Sequence, residues 1–137
     1  MPVNVEVREN GRVIYFEIAD PWTLEEMLAG FGKSAAMRDQ LYSKNPEAAI
    51  HSFIDVHLVK NPPPLGSLRA RQSPGLTHAS RGEFVVFGAN TLTRSLIEMM
   101  LKLAHFDKGR FVDDEAEAWA YIRQLIAADD NKSGSNG

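Results

Sequence analysis

The sequence predicts a single α/β domain with a mostly parallel central sheet and an antiparallel hairpin at its N-terminal end. The run Phe84–Phe87 is apolar at every position, which is typical of a strand that helices cover on both faces. Valines alternate with polar residues from Val3 to Arg8, as in a half-buried strand. After residue 20, amphipathic helical segments alternate with strand segments. The expected order is therefore β-β-α-β-α-β-α-β-α, with the helices packed against the sheet.

Local signals place the elements along the chain. Asn10-Gly11 suits a two-residue type I′ hairpin turn. Thr23 and Glu26 form a capping-box pattern at the start of the first helix. Three prolines, Pro62–Pro64, must end the third strand because proline donates no ladder hydrogen bond. The sequence predicts strands at 3–8, 13–18, within 49–59, 84–87 and 110–112, and helices at about 24–44, 65–71, 91–103 and 115–127.

Composition limits the function classes. The 137 residues are 44% hydrophobic, which is enough for one domain with a real core. A net charge of -3 argues against a nucleic-acid partner. The absence of cysteine excludes disulfides and thiolate metal sites, and the four histidines show no metal-binding spacing. We therefore expect no metal and no cofactor.

Length and hydropathy also bear on location and domain boundaries. The N-terminus lacks the apolar stretch of a signal peptide, and no apolar run approaches the roughly 20 residues that span a bilayer. The sequence thus predicts a cytoplasmic protein without a transmembrane segment. The domain is expected to occupy residues 1–128, and the small polar residues 129–137 are expected to form a disordered tail.

Five segments, in their order along the chain, resemble the STAS domain (sulfate transporter and anti-sigma-factor antagonist). The resemblance extends over Val3–Ile126 and includes small stand-alone STAS-like proteins of unassigned role. The segments that carry it are Trp22–Glu26, Phe53–Val56, Phe84–Ala89, the helix that begins near Thr91 with Arg94 and Leu96, and Phe111–Ala118.

This resemblance implies a non-enzymatic regulatory module that binds a protein partner, such as a kinase-like anti-sigma factor or another signalling protein. It also implies a phosphorylated serine or threonine in an Asp-Ser-Ser/Thr-Gly pattern after the third strand. Here that segment is Asn61–Ser67, in which Gly66 can be matched but no hydroxyl residue precedes it. The usual phosphoacceptor serine is therefore missing, and Ser67 is the nearest candidate for phosphorylation.

Two loops form the predicted partner-binding surface, Asn61–Arg71 after the third strand and Gly88–Arg94 after the fourth. Asp55 lies in an otherwise apolar strand and needs a partner, such as Arg69, Arg71 or backbone N–H groups, since a buried carboxylate without one is costly. It either serves this surface or ties its strand to the next loop. The turn after the fourth strand either binds an anion or is a tight turn with a helix N-cap. The candidate residues are Asp55, Asn61, Ser67, Arg69, Arg71, Gly88, Asn90, Thr91 and Arg94.

Other interpretations remain open at this point. The domain could carry a small apolar ligand or lipid in a pocket between the first helix and the sheet. It could also form a homodimer through an exposed edge of the hairpin. No combination of base, nucleophile and electrophile is visible, so we expect no catalytic residue and no enzymatic activity.

Overall fold

The computed structural model describes residues 3–61, 82–103 and 106–135. Five strands form one sheet in sequence order, β1-β2-β3-β4-β5. The first two strands are antiparallel, and the remaining neighbours are parallel. The predicted α/β class and mostly parallel sheet with an N-terminal hairpin are therefore confirmed. The strands are β1 (Val3–Arg8), β2 (Val13–Ala19), β3 (His51–Leu58), β4 (Phe84–Phe87) and β5 (Gly109–Val112).

Three helices flank this sheet: α1 (Leu24–Lys44), α2 (Thr91–Leu103) and α3 (Glu115–Ser135). The predicted capping box begins α1. The Thr23 hydroxyl accepts a hydrogen bond from the Glu26 N–H at 3.1 Å, and the Glu26 carboxylate accepts one from the Thr23 N–H at 3.0 Å. In the described ranges no helix combines the length and the apolar character needed to cross a bilayer. The helix predicted at 65–71 lies outside the described residues.

Each face of the sheet packs against different helices, because side chains alternate along a strand. In β2, Ile14 and Phe16 point toward α1 and α2, whereas Val13 and Tyr15 point toward α3. We call these the α1/α2 face and the α3 face. On the α1/α2 face the Phe31 ring of α1 lies 5.4 Å from the Phe16 ring. The α3 face is built from buried Val13, Tyr15, Phe53, Val85, Ala118 and Ile122.

The hairpin turn differs from the prediction. The last pair of the β1–β2 ladder is Arg8 with Val13, so four residues form the turn and not two. Glu9, Asn10 and Gly11 have positive φ angles of 53°, 55° and 85°. The prediction of a two-residue turn was wrong. Three consecutive left-handed residues reverse the chain, and not only Asn10-Gly11.

The end of the chain also differs from the prediction. The last helix does not stop at Ala127 but continues to Ser135, so the tail predicted to be disordered after residue 128 is helical as far as Ser135. Arg12 explains this extension, because its guanidinium binds Asp129 at 2.6 Å and also Asp130. The Ala49 N–H donates to Asp129 as well, at 3.1 Å. These bonds tie the extended part of α3 to the start of β2 and to the segment before β3.

Candidate functional site at the carboxyl edge of the sheet

Asn90 holds together the two loops that leave the carboxyl ends of β3 and β4. Its Nδ2 donates to the carbonyls of Val59, at 3.3 Å, and Lys60, at 3.1 Å. Its Oδ1 accepts the Thr93 N–H at 2.8 Å and so caps the N-terminus of α2. One side chain therefore begins a helix and fixes the neighbouring loop against it.

The loop after β3 has a second anchor in Asp20, which follows β2. The Asp20 Oδ2 accepts the N–H groups of Lys60, at 2.6 Å, and Asn61, at 3.2 Å. Asn61 is therefore fixed through its backbone while the residue itself stays exposed. With Asn90 on one side and Asp20 on the other, this loop is held to both neighbouring strands.

Gly88 allows the turn after β4 to lie directly against β3. Its φ angle is +79°, and its N–H donates to the Val112 carbonyl at 3.1 Å. A Cβ atom on Gly88 would lie 2.5 Å from the His57 Cβ and 2.9 Å from the His57 Cα. The position needs glycine both for its backbone conformation and for the space that a side chain would occupy.

Two large apolar side chains flank the Asn90 hydrogen bonds. Leu58 is 46% exposed at the end of β3, and Leu92 is 67% exposed in the first turn of α2. Their polar neighbours Lys60, Asn61 and Thr91 are exposed as well. We call these five residues the edge surface. It combines two exposed apolar side chains with exposed polar neighbours, beside loops that the protein itself holds in place.

Arg94 lies to the side of the edge surface. Its guanidinium pairs with Glu98 at 3.0 Å and lies 4.7 Å from the centre of the Phe111 ring. The side chain therefore faces β5. Of the predicted site residues, the structure gathers Asn61, Gly88, Asn90 and Thr91 at the carboxyl edge. Ser67, Arg69 and Arg71 lie outside the described residues.

Asp55 lies beneath this edge, on the α3 face, and is only 3% exposed. Its Oδ2 accepts the Tyr15 hydroxyl at 3.0 Å. Its Oδ1 accepts the His57 N–H at 3.1 Å and also contacts the His57 Nδ1. Burial of Tyr15, together with the Asp55 carboxylate, raises the pKa of the Tyr15 phenol, which stays a hydrogen-bond donor at neutral pH.

A bulge in β3 produces this arrangement. Glu17 pairs with Asp55, but Ala19 pairs with Leu58, so β3 has one residue more than β2 over this interval. A bulge takes an N–H group out of the ladder, and here the Asp55 carboxylate accepts the N–H of His57. The prediction that a backbone N–H group donates to Asp55 is confirmed. The side chains of Tyr15 and His57 were not predicted as partners. The i, i+2 spacing of Asp55 and His57 on a strand was the available signal.

Aromatic rings and a guanidinium hold Tyr15 in position. The centre of its ring lies 5.5 Å from that of Phe53 and 6.1 Å from that of Trp119, and both pairs are stacked. The Arg8 guanidinium lies 3.6 Å from the ring centre. These contacts fix the hydroxyl that donates to Asp55, so the carboxylate is positioned from β2 as well as from its own strand.

No protein-family model matches the chain, and no curated protein matches it significantly. The geometry must therefore carry the functional argument. Over residues 3–61, 82–103 and 106–135, no three histidine, aspartate or glutamate side chains are grouped closely enough to hold a metal ion.

Substitution of Asn90 by serine should lower the free energy of unfolding by about 1 kcal/mol. Serine caps a helix about as well as asparagine, so the loss comes from the amide that donates to Val59 and Lys60. Urea denaturation measures it. Asn61→Ser is the matched control, since Asn61 is exposed and should change stability by no more than about 0.5 kcal/mol. Equal effects of the two substitutions would show that the amide does not join the loops.

Proposed function

We propose that the protein is a non-enzymatic, STAS-like regulatory domain that binds a protein partner through the edge surface. The partner class that the sequence resemblance implies is a kinase-like anti-sigma factor or another signalling protein. The observation that carries the proposal is the exposure of Leu58, at the end of β3, and Leu92, at the start of α2, beside the loops that Asn90 ties together.

An apolar pair in this setting favours protein binding on two physical grounds. Burial of large apolar side chains at the centre of a contact supplies most of the binding free energy in protein interfaces. Loops that are already fixed lose little conformational entropy when the partner binds. Asn90 and Asp20 supply that fixation through four hydrogen bonds to the loop after β3.

The element order supports the STAS-like part of the proposal. An antiparallel hairpin comes first and parallel strands follow, which fits the element order on which the resemblance is based. The segment that would hold the usual phosphoacceptor has no serine or threonine before Gly66. Phosphorylation of Ser67 stays a prediction, which phosphopeptide mapping after incubation with cell extract tests. Self-association through β1, an edge strand of the sheet, also stays a prediction.

Affinity capture with matched variants tests the proposed surface. Leu58→Glu and Leu92→Glu place a charge in the apolar pair and should weaken capture of the partner by about 30-fold or more. Val7→Glu and Met99→Glu are the controls, because both residues are exposed apolar side chains, 41% and 39%, outside the edge surface. Quantitative mass spectrometry compares the proteins retained by all five chains.

The expected result is a protein retained by the unsubstituted chain and by both controls but lost with the two edge variants. Circular dichroism should show the same fold in every variant, because the substituted side chains are exposed. If every retained protein binds the edge variants and the controls equally, the edge surface is not the binding site.

A further inference from the structure

The contact between Asp55 and His57 fixes the tautomer of the neutral imidazole. A carboxylate oxygen accepts but does not donate, so the neutral ring must carry its proton on Nδ1, which contacts the Asp55 Oδ1. The other ring nitrogen, Nε2, then has a free lone pair. No residue in the described part of the chain hydrogen-bonds it, and the side chain is 45% exposed. The imidazole therefore has an exposed, nucleophilic nitrogen on one side and contacts a buried carboxylate through the other nitrogen.

The carboxylate itself is held with little freedom. Asp55 accepts hydrogen bonds from the Tyr15 hydroxyl and from the backbone N–H of His57, besides its contact with the imidazole. Both carboxylate oxygens of Asp55 thus face hydrogen-bond donors. The Phe87 ring, 5.4 Å from the centre of the imidazole, supports the ring from the neighbouring strand. Both members of the pair are positioned before any reaction begins.

An attack by Nε2 on an electrophile leaves the imidazole with substituents on both nitrogens and a positive charge. Asp55 is placed to compensate that charge, because it contacts the opposite nitrogen of the same ring. An acyl group on such a cationic ring is quickly lost to water. A phosphoryl group on a histidine nitrogen persists at neutral and alkaline pH, so it can act as a stable modification.

Phosphorylation of His57 would change partner binding, because of where His57 lies. This step rests on the proposed function. His57 is the chain neighbour of Leu58, so the imidazole lies close to the edge surface. A phosphoryl group would add negative charge there and change the affinity for the partner. Charged groups on the same face include Glu17, which pairs with Asp55 in the ladder, and Arg8, which lies over the Tyr15 ring. They also include Arg110 and Arg123, which lie over the Tyr121 and Trp119 rings of α3.

We propose that His57 is a phosphoacceptor whose Nε2 takes a phosphoryl group from a phosphoramidate-type donor, with Asp55 as the positioning residue and counterion. In the reaction the Nε2 lone pair forms the new bond to phosphorus. The bond from phosphorus to the donor nitrogen breaks, and its electron pair leaves with that nitrogen. In phosphoramidate this nitrogen is already protonated as –NH3+, so it departs as neutral ammonia. The Nδ1 proton stays on the ring and continues to donate to Asp55.

The test incubates the purified full chain with phosphoramidate and follows it by intact-mass and ³¹P NMR measurements. We expect one phosphoryl group on His57, stable in alkali and lost in acid, that forms about tenfold faster than on N-acetylhistidine under the same conditions. His57→Gln should remove this signal, and its exposed position should leave the fold intact. A rate on His57 no faster than on N-acetylhistidine would overturn the proposal.

Asp55→Asn and Tyr15→Phe separate the role of Asp55 from a general loss of structure. Asp55→Asn should slow phosphorylation by about tenfold and shift the ¹⁵N signals of His57, because the ring loses its fixed tautomer. Tyr15→Phe keeps the carboxylate and should change the phosphorylation rate much less. This rate can be measured even if the Asp55→Asn protein folds poorly. Equal rates with and without Asp55 in folded protein would contradict its role.

The labelling uses the isolated chain, so its failure would leave binding at Leu58 and Leu92 untouched. Conversely, a failed capture experiment would leave the labelling result as it stands.

Discussion

Replacing Gly88 by alanine is expected to lower the free energy of unfolding by about 3 kcal/mol. The left-handed backbone, with φ at +79°, costs an alanine about 1–2 kcal/mol. The added methyl group would also lie 2.5 Å from the His57 Cβ and 2.9 Å from its Cα. Because one of these atoms is backbone of β3, the strand itself must shift, and overpacking of this kind costs about 1–3 kcal/mol.

Gly32→Ala is the control that the chain itself offers. Gly32 lies in α1, and within the described chain a Cβ built on it meets no atom within 4 Å beyond its own stretch of helix. Alanine should therefore stabilise the helix by up to about 1 kcal/mol. Urea denaturation of both variants gives changes of opposite sign if the interpretation is right. A Gly88→Ala protein within about 0.5 kcal/mol of the unsubstituted chain would mean that the turn relaxes freely away from His57.

The elements that sequence predicts well here are those whose signals are local. The capping box at Thr23 needs only residues three apart, and the apolar run Phe84–Phe87 identifies a strand covered on both faces without knowledge of its partners. Alternation along Val3–Arg8 predicts one strand of the hairpin. In each case the determinant is spacing within one segment, and the structure confirms it.

The parts that could not be predicted depend on pairs far apart in sequence. The hydrogen bond from Tyr15 to Asp55 needs the register of β2 on β3, which an extra residue at the bulge alters. The extension of α3 depends on Arg12, 117 residues from Asp129. Small polar residues near the C-terminus predict disorder by composition, but two ion pairs to Arg12 fix Asp129 and Asp130 in a helix that continues to Ser135. No periodicity in either segment contains this information.

The second large expected effect is a pH dependence of the free energy of unfolding that comes from His51. It begins β3, is 4% exposed, and its Nδ1 accepts the N–H of Glu83 at 3.0 Å. Its Nε2 is buried and has no hydrogen-bond partner among the described residues. Burial lowers the pKa of His51 from 6.5 to about 4, with Arg12 and Arg38 lowering it further and Glu83 and Asp129 opposing the shift. The folded protein therefore favours the neutral ring.

The sign of the pH dependence follows from that direction. Between pH 6.5 and about 4 the unfolded chain binds a proton at His51 and the folded chain does not. The contribution of His51 to stability is therefore complete above pH 6.5 and is lost as pH falls toward 4. Since one pKa unit corresponds to 1.36 kcal/mol, this residue alone should lower the free energy of unfolding by about 2 kcal/mol between pH 7 and pH 5.

His51→Asn isolates this contribution. Its Oδ1 can accept the Glu83 N–H in place of Nδ1, but the side chain does not titrate. The variant is expected to be less stable at pH 7, since it loses part of a buried ring. Its loss between pH 7 and pH 5 should nevertheless be about 2 kcal/mol smaller than that of the unsubstituted chain. Urea denaturation at both pH values measures the two losses, and all other ionisable groups are common to both proteins. Equal losses would show that His51 is protonated in the folded protein as readily as in the unfolded chain.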